Sequence, residues 1–152
     1  MKYPTLVPLL LACVTPPALA GTCKAIHADL VEVSATEGCN PGLASCFLGE
    51  VDGNHGLRGT THFAADSARA GPATSPSFIS YSGPFEYRTD GGTLTMRETG
   101  ATTNGPAGVV TAHQEIVQGT GRYAGATGYL FVSGLKGGGL ITTFVKGEIC
   151  YP

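Results

Sequence analysis

Residues 116–134, IVQGTGRYAGATGYLFVSG, decide how the rest of the chain is read. One strand-like run ends at Gln118, a glycine-rich turn follows, and a second run begins at Ala126. The letters Gly119-Thr120-Gly121-Arg122-Tyr123-Ala124 match the G-x-G-x-x-A of a dinucleotide fingerprint. A phosphate site of that kind needs a helix N-terminus directly after its glycines. Here Gly125-Ala126-Thr127-Gly128 breaks helix and leads into a strand, so a nucleotide is set aside. In the remaining reading, Gly119, Gly121, Gly125 and Gly128 permit positive φ and close backbone approach at a rim where two twisted strands meet. Arg122 and Tyr123 then cover the end of the structure those strands build.

The same strand-and-turn grammar extends in both directions. Alternation and β-branched content predict eight strands, at 24–33, 47–51, 57–65, 78–89, 93–98, 109–118, 126–134 and 140–150. In the first, Ile26, Ala28 and Leu30 share a face, and the apolar pair Val31 and Val33 around Glu32 reads as a slip of register with a bulge or bend. In the fourth, Ile79, Tyr81, Phe85 and Tyr87 alternate with polar neighbours, while Pro84 removes a ladder donor and predicts an edge or a bulge. Segments 66–77 and 99–108 read as Gly, Pro and Asn loops, 135–139 as a flexible connection, and Asp90-Gly91-Gly92 as a hairpin turn. No window shows an apolar period of 3.6.

Twenty-three glycines and ten prolines suit short strands joined by tight turns. The expected fold is all-β, a closed eight-stranded antiparallel up-and-down barrel, because closure removes the exposed edges of such a meander. A β-sandwich is the alternative.

The first twenty residues have the form of a cleaved leader: Lys2, a short apolar run at 6–14, and Ala18-Leu19-Ala20 before the cut. Val14-Thr15 after Cys13 does not fit a lipid-modified cysteine. Residues 21–152 then make one secreted or periplasmic domain with no transmembrane anchor, the apolar run being shorter than the roughly 20 residues a span needs. Without Lys2, eight scattered Lys and Arg stand against eleven Asp and Glu. That balance argues against a nucleic-acid or anionic-membrane partner.

Four cysteines remain in an oxidising setting, which favours two disulfides over thiolate zinc ligands, and their spacing is not that of a metal site. Three pairings can be drawn. We favour Cys39 with Cys46, closing a turn-rich loop, and Cys23 with Cys150, tying the chain ends together as a closed meander requires. No metal and no cofactor are expected.

The turn GTGRYAGATGYL closely resembles the GTGRFAGA-type turn of the dirigent and allene oxide cyclase superfamily, above all that of exported bacterial proteins with an allene-oxide-cyclase-like barrel. Gly56-Leu57-Arg58-Gly59-Thr60, Gly92-Thr93-Leu94-Thr95 and Gly147-Glu148-Ile149-Cys150 carry further similarity. The resemblance implies an eight-stranded barrel, a homo-oligomer of three chains, and a cavity that in some members holds an oxylipin or a phenoxy-radical-derived intermediate. The plant members' catalytic glutamate has no matched position here, and those members lack the four-cysteine pattern. No catalytic residue is carried over.

The residues themselves offer two candidate sites. Phe63, Tyr81, Phe85, Tyr87, Tyr129 and Phe131 either line a pocket for a small apolar ligand or simply fill a barrel. His113 and Glu115, two apart on one strand face, form an acid-base pair or else a solvated surface. His27, His55 and His62 are dispersed, and no G-x-S-x-G nucleophile motif occurs. The expected role is therefore non-catalytic binding of a small apolar ligand, or a structural one. A cofactor-free cyclase or isomerase, and an extracellular self-assembly or interaction protein, are the alternatives. A cavity of a few hundred Å3, on the order of known ligand sites, with one or two charged side chains inside would favour the enzyme.

Overall fold

The computed structural model describes residues 21–43 and 45–152; the expected leader at 1–20 lies outside the described residues. Nine strands, β1 (Thr22–Ser34), β2 (Cys46–Gly53), β3 (Arg58–Ala64), β4 (Ser67–Ala70), β5 (Phe78–Thr89), β6 (Gly92–Thr103), β7 (Gly108–Gly119), β8 (Thr127–Gly137) and β9 (Leu140–Tyr151), form one antiparallel sheet. Each strand pairs with the next in chain order, except that β3 passes over β4. β1 pairs with β9, and β3 pairs with β5, so eight strands close into a barrel with β4 outside it. The sandwich alternative is excluded.

The extra strand corrects the reading of 66–77 as a loop. SARA at β4 is exposed throughout and has no alternating apolar pattern, so its pairing with β5 leaves no local mark. β5 meets β3 over Phe85–Thr89 and β4 over Ile79–Ser82. Pro84 sits at the switch between those partners, where the missing N–H costs no ladder bond on that side. β6 also runs on to Thr103, through part of 99–108, and β8 runs to Gly137 instead of ending before Leu135.

The bulge expected around Glu32 is absent. β1 pairs without a shift with β9 and, from Ala28 to Ser34, with β2, so Glu32 continues the inward face of Ile26, Ala28 and Leu30. The irregularity lies elsewhere: Thr95 faces Gln118 and Met96 faces Ile116, leaving Val117 without a partner on β6.

The inward residues form one continuous core. Leu57, Leu94, Tyr123, Ala126 and Ile149 fill the end where β1 begins and β9 finishes, and Leu30, Val51, Tyr87, Leu130 and Val145 fill the middle. The disulfides Cys23–Cys150 and Cys39–Cys46 are both formed. The first ties β1 to β9 where Cys23 faces Cys150 across the ladder. Two bridges fit an oxidising compartment. Among the described residues, no helix is long and apolar enough to cross a membrane.

The turn that opened the sequence reading closes the filled end. Gly121–Tyr123 is one 3-10 turn between β7 and β8. The Tyr123 ring is fully buried, and its hydroxyl donates to the Gly56 carbonyl at 3.1 Å. Arg122 lies over that ring at 5.6 Å and its backbone N–H donates to the Gly91 carbonyl at 2.8 Å, bolting the turn to the β5–β6 hairpin. Gly121 has φ +58, and a Cβ there would run into the Gly91 carbonyl. Gly121→Ala should therefore lower stability by at least about 1 kcal/mol, the cost of left-handed backbone for a residue with a Cβ. Chemical denaturation would show it as a lower midpoint; an unchanged midpoint would mean the turn does not hold the barrel end.

Candidate functional site

The opposite end of the barrel is less completely filled. A cavity of about 70 Å3 lies there, lined by Glu32, Phe47, Phe63, Tyr81, Glu98 and Lys136 together with Ser45, Thr102 and the aliphatic side chains of β7, β8 and β9. Its walls come from strand parity. Glu32 follows Leu30 on β1, Glu98 follows Leu94 and Met96 on β6, and Lys136 follows Leu130 and Val132 on β8.

Two carboxyl groups are thus enclosed, Glu32 with 7% and Glu98 with 5% of its surface exposed. Glu98 ends a directed chain of hydrogen bonds. The Tyr87 hydroxyl donates to Gln114 Oε1 at 2.6 Å, which turns the Gln114 amide N–H toward Glu98 Oε2 at 2.5 Å. Gln114 and Tyr87 have no measurable exposure. The chain presents Glu98 with donors only, so it suits an acceptor there.

Glu32 is less well served. Its Oε1 has no hydrogen-bond partner among the described residues, and neither does Oγ1 of buried Thr61. Both flank Gly49, which faces Glu32 on β1 and Thr61 on β3. A Cβ at Gly49 would come within 2.6 Å of Glu32 Cγ and 2.7 Å of Thr61 Oγ1, so the glycine makes the room in which they lie.

Burial dominates the proton affinities. Loss of solvent pushes Glu32 up to about 8, and the nearby charge of Glu98 adds to the rise. Loss of solvent also lifts Glu98, to about 7, against the pull of Gln114 and the Tyr81 hydroxyl. Tyr81 and Tyr87 are raised by burial and by the same carboxyls, so both stay protonated at neutral pH. Partial burial lowers Lys136.

The aromatic residues expected at a pocket divide. Phe63 and Tyr81 line the cavity, with their rings edge-on at 5.5 Å, and Phe85 and Tyr87 pack beneath them. Tyr129 and Phe131 are corrected: they face outward, Phe131 with 55% of its surface exposed. Leu130 and Val132 hold the inward positions of β8, so parity sends both rings outside. His113 stacks on Tyr129, lies tilted against Phe131 and, like Glu115, is exposed on the outer wall, away from the cavity. Arg122 and Tyr123 stand at the far end with Gly119, Gly121, Gly125 and Gly128.

Glu32, Glu98, Gln114 and Lys136 were not singled out from sequence. Unbroken alternation from Ile26 and from Leu94 would have placed both glutamates inside. As for metal, Cys23, Glu148 and Cys150 place ligand-type atoms within 4.8 Å of one another, but both sulfurs are held in a disulfide. No protein-family model, curated protein or solved structure matches this chain.

The raised carboxyls set the sign of a pH effect. An acid whose folded pKa exceeds its unfolded value lends full stability below the unfolded value and loses it as pH rises through the folded one. For Glu32 that window runs from 4.5 to about 8. Glu32→Gln should flatten the fall in melting temperature between about pH 5 and pH 8.5 and stabilise the protein at the upper limit, by on the order of 3 kcal/mol. Parallel melting curves for the variant and the parent would mean that Glu32 is not held neutral.

Proposed function

We propose that this is an exported binding barrel of the allene-oxide-cyclase-like kind, holding one small molecule at its open end without transforming it. The observation that carries the reading is the unpartnered Glu32 Oε1, buried and facing a cavity with aromatic walls. An orphaned buried oxygen costs about 1–3 kcal/mol, and a ligand with one hydrogen-bonding group relieves it. The resemblance of the 119–130 turn and the two disulfides support the architecture and the exported setting. At about 70 Å3 the cavity takes a head group, with an apolar remainder leaving past Phe47 and Thr102.

A second reading, a cofactor-free isomerase or cyclase, draws support from Glu98. It is an acid with a raised pKa at a cavity wall, positioned by Gln114 and Tyr81, which is an arrangement suited to proton transfer. The small volume favours binding over the confinement of a flexible substrate.

Titration with n-propanol and phenol, followed by amide NMR, distinguishes the readings. Binding should shift resonances at Glu32, Phe47, Glu98 and Lys136, and Thr102→Phe, which fills the mouth, should weaken it at least about tenfold. Shifts confined to the outer wall around Phe131 would sink the binding reading. Conversion of an unsaturated fatty-acid epoxide, lost in Glu98→Gln, would replace it with the enzymatic one.

A further inference from the structure

The chemistry of the enclosed end also selects among ligands. Building on the binding reading above, we propose that the open end of the barrel recognises a primary ammonium group, held between Glu32 and Glu98 against the faces of Phe47, Phe63 and Tyr81. Three observations converge on it. The first is the direction of the Tyr87–Gln114–Glu98 chain, which delivers an N–H donor to Glu98 and so keeps that oxygen in the accepting role at the cavity wall. The second is the free Glu32 Oε1, nine-tenths buried and lining the same cavity. An ammonium brings three donors, enough for this oxygen and for Glu98 together. The third is the aromatic lining, which attracts a desolvated cation electrostatically.

The charge inventory points the same way. β1 contributes Glu32, β6 contributes Glu98, β5 contributes the neutral phenols Tyr81 and Tyr87, and β8 contributes Lys136. β7 offers the neutral Gln114, β3 Thr61 and Phe63, β2 Phe47, and β9 Ile141 and Thr143. With both glutamates ionised, Lys136 alone leaves the cavity one positive charge short. A bound ammonium supplies it, and so offsets both the desolvation and the mutual repulsion that raise the two carboxyls. Binding must then release protons near neutral pH. The volume of about 70 Å3 suits an ammonium and its first carbons, with the remaining chain toward the mouth.

Isothermal titration calorimetry on the purified protein, with n-propylammonium, n-propanol and propionate as matched probes, tests this. At pH 8 n-propylammonium should bind at least about tenfold more tightly than n-propanol, and its affinity should fall by about tenfold or more at pH 6, where it competes with protons. The heat should vary with the ionisation enthalpy of the buffer, reporting the released protons. Glu32→Gln should lower the affinity for n-propylammonium by at least about tenfold and bring it level with that of n-propanol, and Glu148→Gln, far from the cavity, should change nothing. Equal affinity for n-propanol and n-propylammonium, or tightest binding of propionate, would overturn the ammonium site and leave the binding barrel standing. No binding of any probe would overturn both.

Discussion

The pairing of β1 with β9 is the constraint on which the rest depends. It joins the first and last strands over twelve facing residues and is locked where Cys23 meets Cys150. Without it the sheet is an open meander with two free edges. With it, every second residue of each barrel strand is committed to an interior, whatever its chemistry. A long-range bridge of this kind also removes much of the unfolded chain's freedom, by on the order of 4–5 kcal/mol on the loop-entropy account.

Closure makes the two ends of the barrel unequal. Tyr123, delivered by the glycine-rich turn and hydrogen-bonded to the Gly56 carbonyl, plugs one end with an aromatic ring. At the other, the inward positions fall on Glu32, Glu98 and Lys136, and packing is incomplete. An enclosed carboxyl that cannot be solvated takes up a proton or finds a cation. The interior hydrogen bonds meet this demand unevenly: Glu98 has Gln114, whereas Glu32 keeps an oxygen with no partner among the described residues. Folding alone would favour an apolar residue at that point, and such local conflict is characteristic of functional positions.

Much of this was legible in the sequence, and the failures share one cause. Period-two alternation identified the inward face of β5 correctly, including Tyr81, Phe85 and Tyr87, and the even count of cysteines after the expected leader, taken with barrel closure, led to both bridges. Errors arose where side-chain type was allowed to overrule parity. The apolar Val31 and Val33 suggest a slip of register and a bulge that does not exist, and so take Glu32 off the inward face it shares with Ile26, Ala28 and Leu30. Tyr129 and Phe131 read as candidate pocket residues by their aromatic rings, although Leu130 and Val132 fix the opposite parity. Two features had no local signal at all. β4 is held only by its pairing with β5, and the unpartnered Val117 is a mismatch of register between two strands that neither sequence carries by itself.

The central claim is that the open end of the barrel encloses two carboxyl groups whose protons are held near neutrality by burial. Direct titration of the glutamate side-chain carbons by 13C NMR reads this residue by residue. The account predicts that Glu98 and Glu32 titrate at about 7 and about 8, well above the ordinary carboxyl range. Titration of every glutamate near the unperturbed value of about 4.3 would contradict it.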